Sequence, residues 1–172
     1  MIIQCENNVV LRSIERSDTE NVLKWRNSKH VKQYFIYQKE ITHEDHEKWL
    51  EEKVATGKVV QFIIEYKGMA VGSVYLQDID RVHNKAEYGI FIGDSDNCGH
   101  GIGTTVAKSF IQYGFSELHL HRIYLRVYKE NQRAITSYEK AGFQKEAVLR
   151  DDVFVNGKYH DIVLMGIVKD GD

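Results

Sequence analysis

The chain has 172 residues, 42% of them hydrophobic and 28% charged, with a formal net charge of -2, two cysteines and no proline. That length is one domain spanning 1–172 with a core large enough to fold unaided, and the missing prolines exclude Pro-rich linkers, polyproline recognition segments and cis-proline turns. The near-balanced charge argues against nucleic acid as a partner, and no apolar run approaches the eighteen or more residues of a membrane span.

The first eleven residues include Gln4, Glu6, Asn7 and Asn8, so they lack the basic start and apolar run of a signal peptide. Cys5 and Cys98 fall in no metal-binding or disulfide pattern, which fits a reducing, cytoplasmic setting. Val9 to Ile14 reads as a short strand. Ser17-Asp18-Thr19-Glu20 then reads as a capping box, with Ser17 and Glu20 satisfying each other's amides at the head of a helix through Trp25. Thr42-His43-Glu44-Asp45 is a second, weaker box. Behind it His46, Trp49, Leu50, Lys53 and Val54 recur at helical spacing, the mark of a half-buried helix.

Val60, Phe62, Ile64 and Tyr66 alternate with polar residues, Lys67-Gly68 supplies a tight turn, and Val71 to Leu76 returns. Ala86 to Ile92 completes a meander. Gly99-His100-Gly101-Ile102-Gly103 opens a helix with the apolar stripe Val106, Ala107, Phe110, Ile111 and Gly114. Arg122 to Tyr128 alternates as a strand, Asn131 caps a helix carrying Ala134, Ile135, Tyr138 and Ala141, and Gly142 ends it. Two last strands flank Asn156-Gly157, a type I′ hairpin signal. The order indicates a mixed α/β domain.

The glycine loop leaves backbone amides unobstructed at a helix N-terminus, where free N–H groups and the helix dipole favour a phosphate. It lacks the Lys-Ser/Thr pair of a P-loop, and Val106 stands where the dinucleotide fingerprint needs glycine. On its own the loop serves equally as a tight connection. His43-x-x-His46 and His119-x-His121 lack the further ligands of a zinc site, so no metal is expected.

Cys98 through Thr104, preceded by the strand Ala86-Glu87-Tyr88-Gly89-Ile90 and followed by Asn131-x-x-Ala134-Ile135-x-x-Tyr138-Glu139-Lys140-x-Gly142-Phe143, resembles the Gcn5-related N-acetyltransferase (GNAT) superfamily. Leu11-Arg12, Trp25-Arg26-Asn27 and the hairpin Phe154 to Tyr159 resemble its branch of ribosomal-protein N-terminal, spermidine and nucleotide-amino-sugar acetyltransferases. The resemblance implies a central, mostly antiparallel twisted sheet of six to seven strands. It would be splayed between the fourth and fifth and flanked by about four helices.

It also implies acetyl-CoA as co-substrate, and a small-molecule amine or a protein N-terminus as acceptor, with no metal and a possible homodimer. Carried over position by position, Cys98, Gly99, His100, Gly101, Ile102, Gly103 and Thr104 would hold the pyrophosphate, with Cys98 replacing the family's Gln or Arg. Ile90, Phe91 and Ile92 would pair with the pantetheine arm like an added strand, and Asn131, Ala134, Ser137 and Lys140 would complete the site. An amide near Phe91 or Ile92 would meet the charge that develops on the acetyl oxygen.

Tyr138 matches the tyrosine that faces the sulfur and would protonate the departing thiolate; its bland role is as an apolar neighbour of Ala134 and Ile135. Glu87 would accept the proton that an alkylammonium of pKa about 10 must lose before it attacks, unless solvent does so. Tyr34, Phe35, Tyr37, Glu40 and His46 match the segment that walls the acceptor pocket, and His83 would stand at its mouth. The acidic run Glu40, Glu44, Asp45, Glu47, Glu51 and Glu52 suits a polyamine, or is a plain solvated helix face. Trp25-Arg26-Asn27 with His46 and Trp49 resembles amino-sugar acetyltransferases instead.

Overall fold

The computed structural model describes residues 1–170, so the last two residues of the expected domain lie outside it. Strands β1 (Ile2–Gln4), β2 (Val9–Ser13), β3 (Val60–Tyr66), β4 (Met69–Asp80) and β5 (Lys85–Ile92) lie side by side in chain order. The sheet continues through β6 (Arg122–Tyr128) and β8 (Lys158–Val168) to β7 (Gln144–Val155) at its far edge. The count is eight rather than six or seven because Ile2–Gln4, three residues and too short to show as alternation, pairs with Val10–Arg12. The Asn156-Gly157 turn joins β7 and β8 with φ of +53° and +75°, as a type I′ hairpin requires.

Every pairing is antiparallel except β5 with β6. That parallel pairing runs only from Lys85↔Arg122 to Glu87↔Tyr124, after which the strands part. This is the expected splay, between the fourth and fifth strands counted from Val9.

Helices α1 (Thr19–Asn27), α2 (Lys29–Lys32) and α3 (His43–Trp49) cover one face of the sheet, and α4 (Ile102–Ser116) and α5 (Gln132–Ala141) the other. There are five rather than about four because Ser28 caps the single turn of α2, accepting the Val31 N–H. The α4 face carries the larger core, where Val74, Leu76 and Ala86 meet Val106, Ala107, Phe110 and Ile111. On the opposite face Val22, Trp25 and Val31 pack on Ile63 and Phe91.

The expected box of Ser17 and Glu20 does not form. Arg12 holds Asp18 with two hydrogen bonds of 2.9 and 2.7 Å, and the Asp18 carboxylate accepts the Glu15 N–H at 2.8 Å. That fixes a 3₁₀ turn at Arg16–Asp18, capped from Glu15, so α1 begins at Thr19. The Thr42–Asp45 box does form, and α3 continues from it into a wider π turn at Leu50–Val54.

Candidate active site

The splay is the origin of the site. Strand alternation puts Tyr75, Gln77, Glu87 and Gly89 on the α1 side of the sheet, whereas Tyr88 points to the α4 side. A cavity of about 1360 Å³ is lined from both faces. From the α4 side come Tyr88, Asn131, Ala134, Ser137, Tyr138 and Lys140; from the α1 side come Arg26, Tyr34, Tyr37, His46, Tyr75 and Glu87.

At one end, Gly99 and Gly101 take φ of +82° and +72°, the left-handed region that glycine enters freely. Gly101 starts the fifteen-residue α4 with no side-chain cap, so the first-turn N–H groups stay available to an anion. Ile102, Gly103 and Thr104 line the same end, and the Thr104 hydroxyl meets Ser137 Oγ at 3.0 Å, tying α4 to α5. Arg133 Nη2 would lie 3.5 Å from a Cβ on Gly99. Beyond Glu87, the β6-facing edge of β5 at Ile90, Phe91 and Ile92 carries no β6 partner. A free-amide anion cradle with an open strand edge beside it fits the pyrophosphate and amide arm of acetyl-CoA.

Cys98, standing where Gln or Arg is expected, has its Sγ 3.5 Å from His30 Nε2, and burial raises its thiol pKa. Asn131 accepts the Ala134 N–H at 3.3 Å as the cap of α5.

Tyr138 sits where the two faces meet, its ring centroid 6.1 Å from Tyr88 and 5.8 Å from Phe143, both edge-on. Burial pushes its pKa far up, so it is a phenol across the neutral range. Glu87 is 9% exposed, and its Oε1 takes long hydrogen bonds of 3.4 Å from Gln77 Nε2 and Arg126 Nη2. The Tyr75 ring lies over Gly89, where a Cβ would stand 2.3 Å from its Cζ, and burial pushes the phenol up to about 12.

Farther along, His46 is buried, with Nδ1 3.0 Å from Thr19 Oγ1 and Nε2 without a partner. Burial lowers its pKa, His43 lowers it further, and Asp18 opposes both. Trp49 Nε1 donates to Gln61 at 2.7 Å, and Gln61 Nε2 donates to Ser73 at 2.9 Å, so that wall is a bonded polar network.

Three expected site residues lie outside the lining. His83 is exposed in the β4–β5 turn, its backbone N–H held by Asp80, too far along the hairpin to reach the mouth. Glu40 faces solvent, and His100 turns outward to the Asp96 carbonyl at 3.0 Å and stacks on Tyr66. Of the acidic run only Asp45 lines the cavity, and its Oδ2 accepts the Thr42 N–H at 2.9 Å. Sequence reasoning missed Tyr75, Gln77, Tyr88 and Arg126. The signal for the first two was alternation on β4, which places them across from Gly89 and Glu87. Among the described residues, no three of His, Cys, Asp and Glu come together as a metal set, and no helix is long and apolar enough to cross a membrane.

Comparison with known proteins bears on the same chemistry. Residues 8–144 match the family described as acetyltransferase (GNAT) domain. Spermidine N(1)-acetyltransferase of Escherichia coli K12 is 34% identical over 167 residues, covering 94% of this chain and 86% of its own. The solved spermidine N-acetyltransferase of Vibrio cholerae in complex with CoA and spermine superposes with a TM-score of 0.88 at 29% identity, covering 94% of this chain and 96% of that one. A dodecameric structure of spermidine N-acetyltransferase from the same organism has a TM-score of 0.81 at 28% identity, covering 94% of each chain. The fold splayed at its fourth and fifth expected strands, the family match and these relatives agree: the chain belongs to the GNAT acetyltransferase family and is an acetyl-CoA-dependent N-acetyltransferase.

Proposed function

We propose that the enzyme acetylates the primary amine of a small molecule, which enters from the α1 and α3 side and meets the acetyl group beside Glu87. The observation that carries this reading is the cavity's passage between β5 and β6, with Glu87 on the α1 side and Tyr138 on the α4 side. Acetyl-CoA, when bound, supplies the activated acetyl thioester. Glu87 takes the proton from the incoming ammonium, directly or through a water, and its long bonds to Gln77 and Arg126 orient the carboxylate. Tyr138 gives its proton to the departing sulfur, and a strand amide near Phe91 or Ile92 meets the charge that develops on the acetyl oxygen. The glycine loop, with Arg133 and Lys140, holds the phosphates.

A polyamine is the acceptor class that the relatives supply, since those proteins act on spermidine. An amino sugar is the second reading, favoured by the polar Trp49–Gln61–Ser73 wall and by the solvent-facing position of most of the acidic run. A protein N-terminus fits less well, because Tyr34 to Tyr37 and Ile41 wall the acceptor end. The test is thiol release from acetyl-CoA with spermidine, glucosamine and short peptides. Turnover is expected with a small amine and not with peptides; preference for a peptide would overturn the reading, and a thermal shift with acetyl-CoA but no turnover would mark a binding module.

Two further readings complete the proposal. The free thiols Cys5 and Cys98 suit a reducing compartment such as the cytoplasm. Copies of the chain associate through β7, the sheet's outer strand, around which Val148, Leu149, Phe154 and Tyr159 are exposed.

A further inference from the structure

The acceptor end of the cavity holds an unused cation. Val22 and Arg26 line the cavity from one stripe of α1, and Thr19 on that stripe holds the ring of His46. The Arg26 guanidinium lies 3.7 Å above the Phe35 ring centroid. Phe35 is itself fixed, edge-on to Phe91 at 5.9 Å and with its carbonyl accepting the Tyr128 hydroxyl at 3.2 Å. Stacking of this kind holds a guanidinium in place but leaves its N–H fork unspent. Among the described residues no carboxylate or carbonyl takes any of those N–H groups, although seven other arginine and lysine side chains form ion pairs.

The balance of charge points the same way. Around the acceptor, Arg26, Lys48 and Arg126 face the carboxylates of Asp45 and Glu87. Asp45 is committed to the Thr42 cap and Glu87 to Arg126. A bare polyamine would bring further ammonium groups into an end whose carboxylates are both spoken for and whose uncommitted charge is positive. Arg26, Tyr75 and Glu87 line the same cavity, so the two charged groups can meet different parts of one small molecule. The unpartnered Nε2 of His46 offers that molecule a further polar contact.

We infer that Arg26 is an anion-recognition point, and that the preferred acceptor carries a carboxylate or phosphate several bonds from the amine that is acetylated. This rests on the acetyl-transfer reading and decides between its two acceptor classes. Within that reading it favours an anion-bearing amine, such as a phosphorylated amino sugar or an amino acid, over a bare polyamine. A fork-to-anion contact of this kind is expected to change kcat/KM by about tenfold to a hundredfold.

The experiment compares matched acceptors that differ only in the anion: glucosamine 6-phosphate against glucosamine, and lysine against 1,5-diaminopentane, with spermidine alongside. In the unaltered enzyme one anion-bearing member should exceed its bare partner at least tenfold in kcat/KM, and which pair responds distinguishes phosphate from carboxylate. Arg26→Met should bring that ratio below about twofold, and Arg26→Lys, which keeps charge without the fork, should leave an intermediate ratio. Titration calorimetry of glucosamine 6-phosphate and lysine with CoA present gives a readout independent of turnover, and the heat of the preferred acceptor should vanish in Arg26→Met. Preference for spermidine or 1,5-diaminopentane overturns the inference while leaving acetyl transfer intact. So does a preference that survives Arg26→Met, or a rise confined to the KM for acetyl-CoA. Absence of turnover and heat with every amine overturns acetyl transfer and the inference together.

Discussion

Tyr138 and Glu87 line the cavity from opposite sides of one sheet, and their surroundings suit the opposite tasks proposed for them. The tyrosine sits among Tyr88 and Phe143, where burial keeps it protonated and able to donate. The carboxylate sits against Gln77 and Arg126, polar groups that orient it. Tyr138→Phe is therefore expected to lower kcat by about 10²–10⁴ while the Kd for acetyl-CoA stays within about twofold. Steady-state kinetics with calorimetry checks both numbers, and an unchanged kcat removes Tyr138 from the proposed role. His46 gives a stability prediction. Its folded pKa is lowered, chiefly by burial, so below the unfolded value near 6.5 the unfolded chain binds a proton that the folded one refuses. Stability is thus greatest above that pH and falls as pH drops through it, by at most about 1.4 kcal/mol per pH unit. Urea unfolding from pH 7.5 to 5 should show this slope, and His46→Gln should flatten it. These residues were unequally legible in the sequence. The place of Tyr138 follows from its spacing to Asn131 and the side of Tyr88 from alternation on β5, whereas Arg126 reaches Glu87 through strand pairing that no local pattern encodes.

Among the elements, the segment of residues 93–104 is the one proposed to hold the phosphates. Ser95 starts the 3₁₀ turn Ser95–Asn97 under an Asp94 side-chain cap, in a loop without proline. Proline would have narrowed the loop's open states, and here the turn chemistry alone must do so. Acetyl-CoA should slow hydrogen exchange across 93–104 by about tenfold or more, measured by mass spectrometry. Equal exchange with and without acetyl-CoA would place the phosphates elsewhere. Element boundaries were mostly legible because their signals are local: Arg122–Tyr128 alternates, and Asn131 and Gly142 bracket α5. The head of α1 was not, since the pairing of Asp18 with Arg12 on β2 decides where the helix begins.

At the scale of the molecule, β7 is a long edge with little to cover it. Self-association through it predicts a sedimentation coefficient above that of a monomer at micromolar concentration. Replacing Leu149 and Phe154 with glutamate should shift the distribution to monomer without changing the circular dichroism spectrum; a wild-type chain already monomeric at 100 micromolar would refute the proposed contact. The two-residue turn at Asn156-Gly157 already sets Phe154 against Tyr159, whereas the register shift between Leu149 and Val153 that positions Val148 and Leu149 on β8 has no local signal in the sequence.

The three-rung junction between β5 and β6 has a consequence for the lifetime of the protein. With so little backbone pairing at its middle, the sheet is two panels that share a seam, and the co-substrate's amide arm would bridge part of that seam. Binding at a hundred times Kd would add about 2.7 kcal/mol to the folded state. The fraction of chains open to proteases would then track the supply of acetylated and free CoA, so that scarcity of the acetyl donor would thin the enzyme as well as idle it.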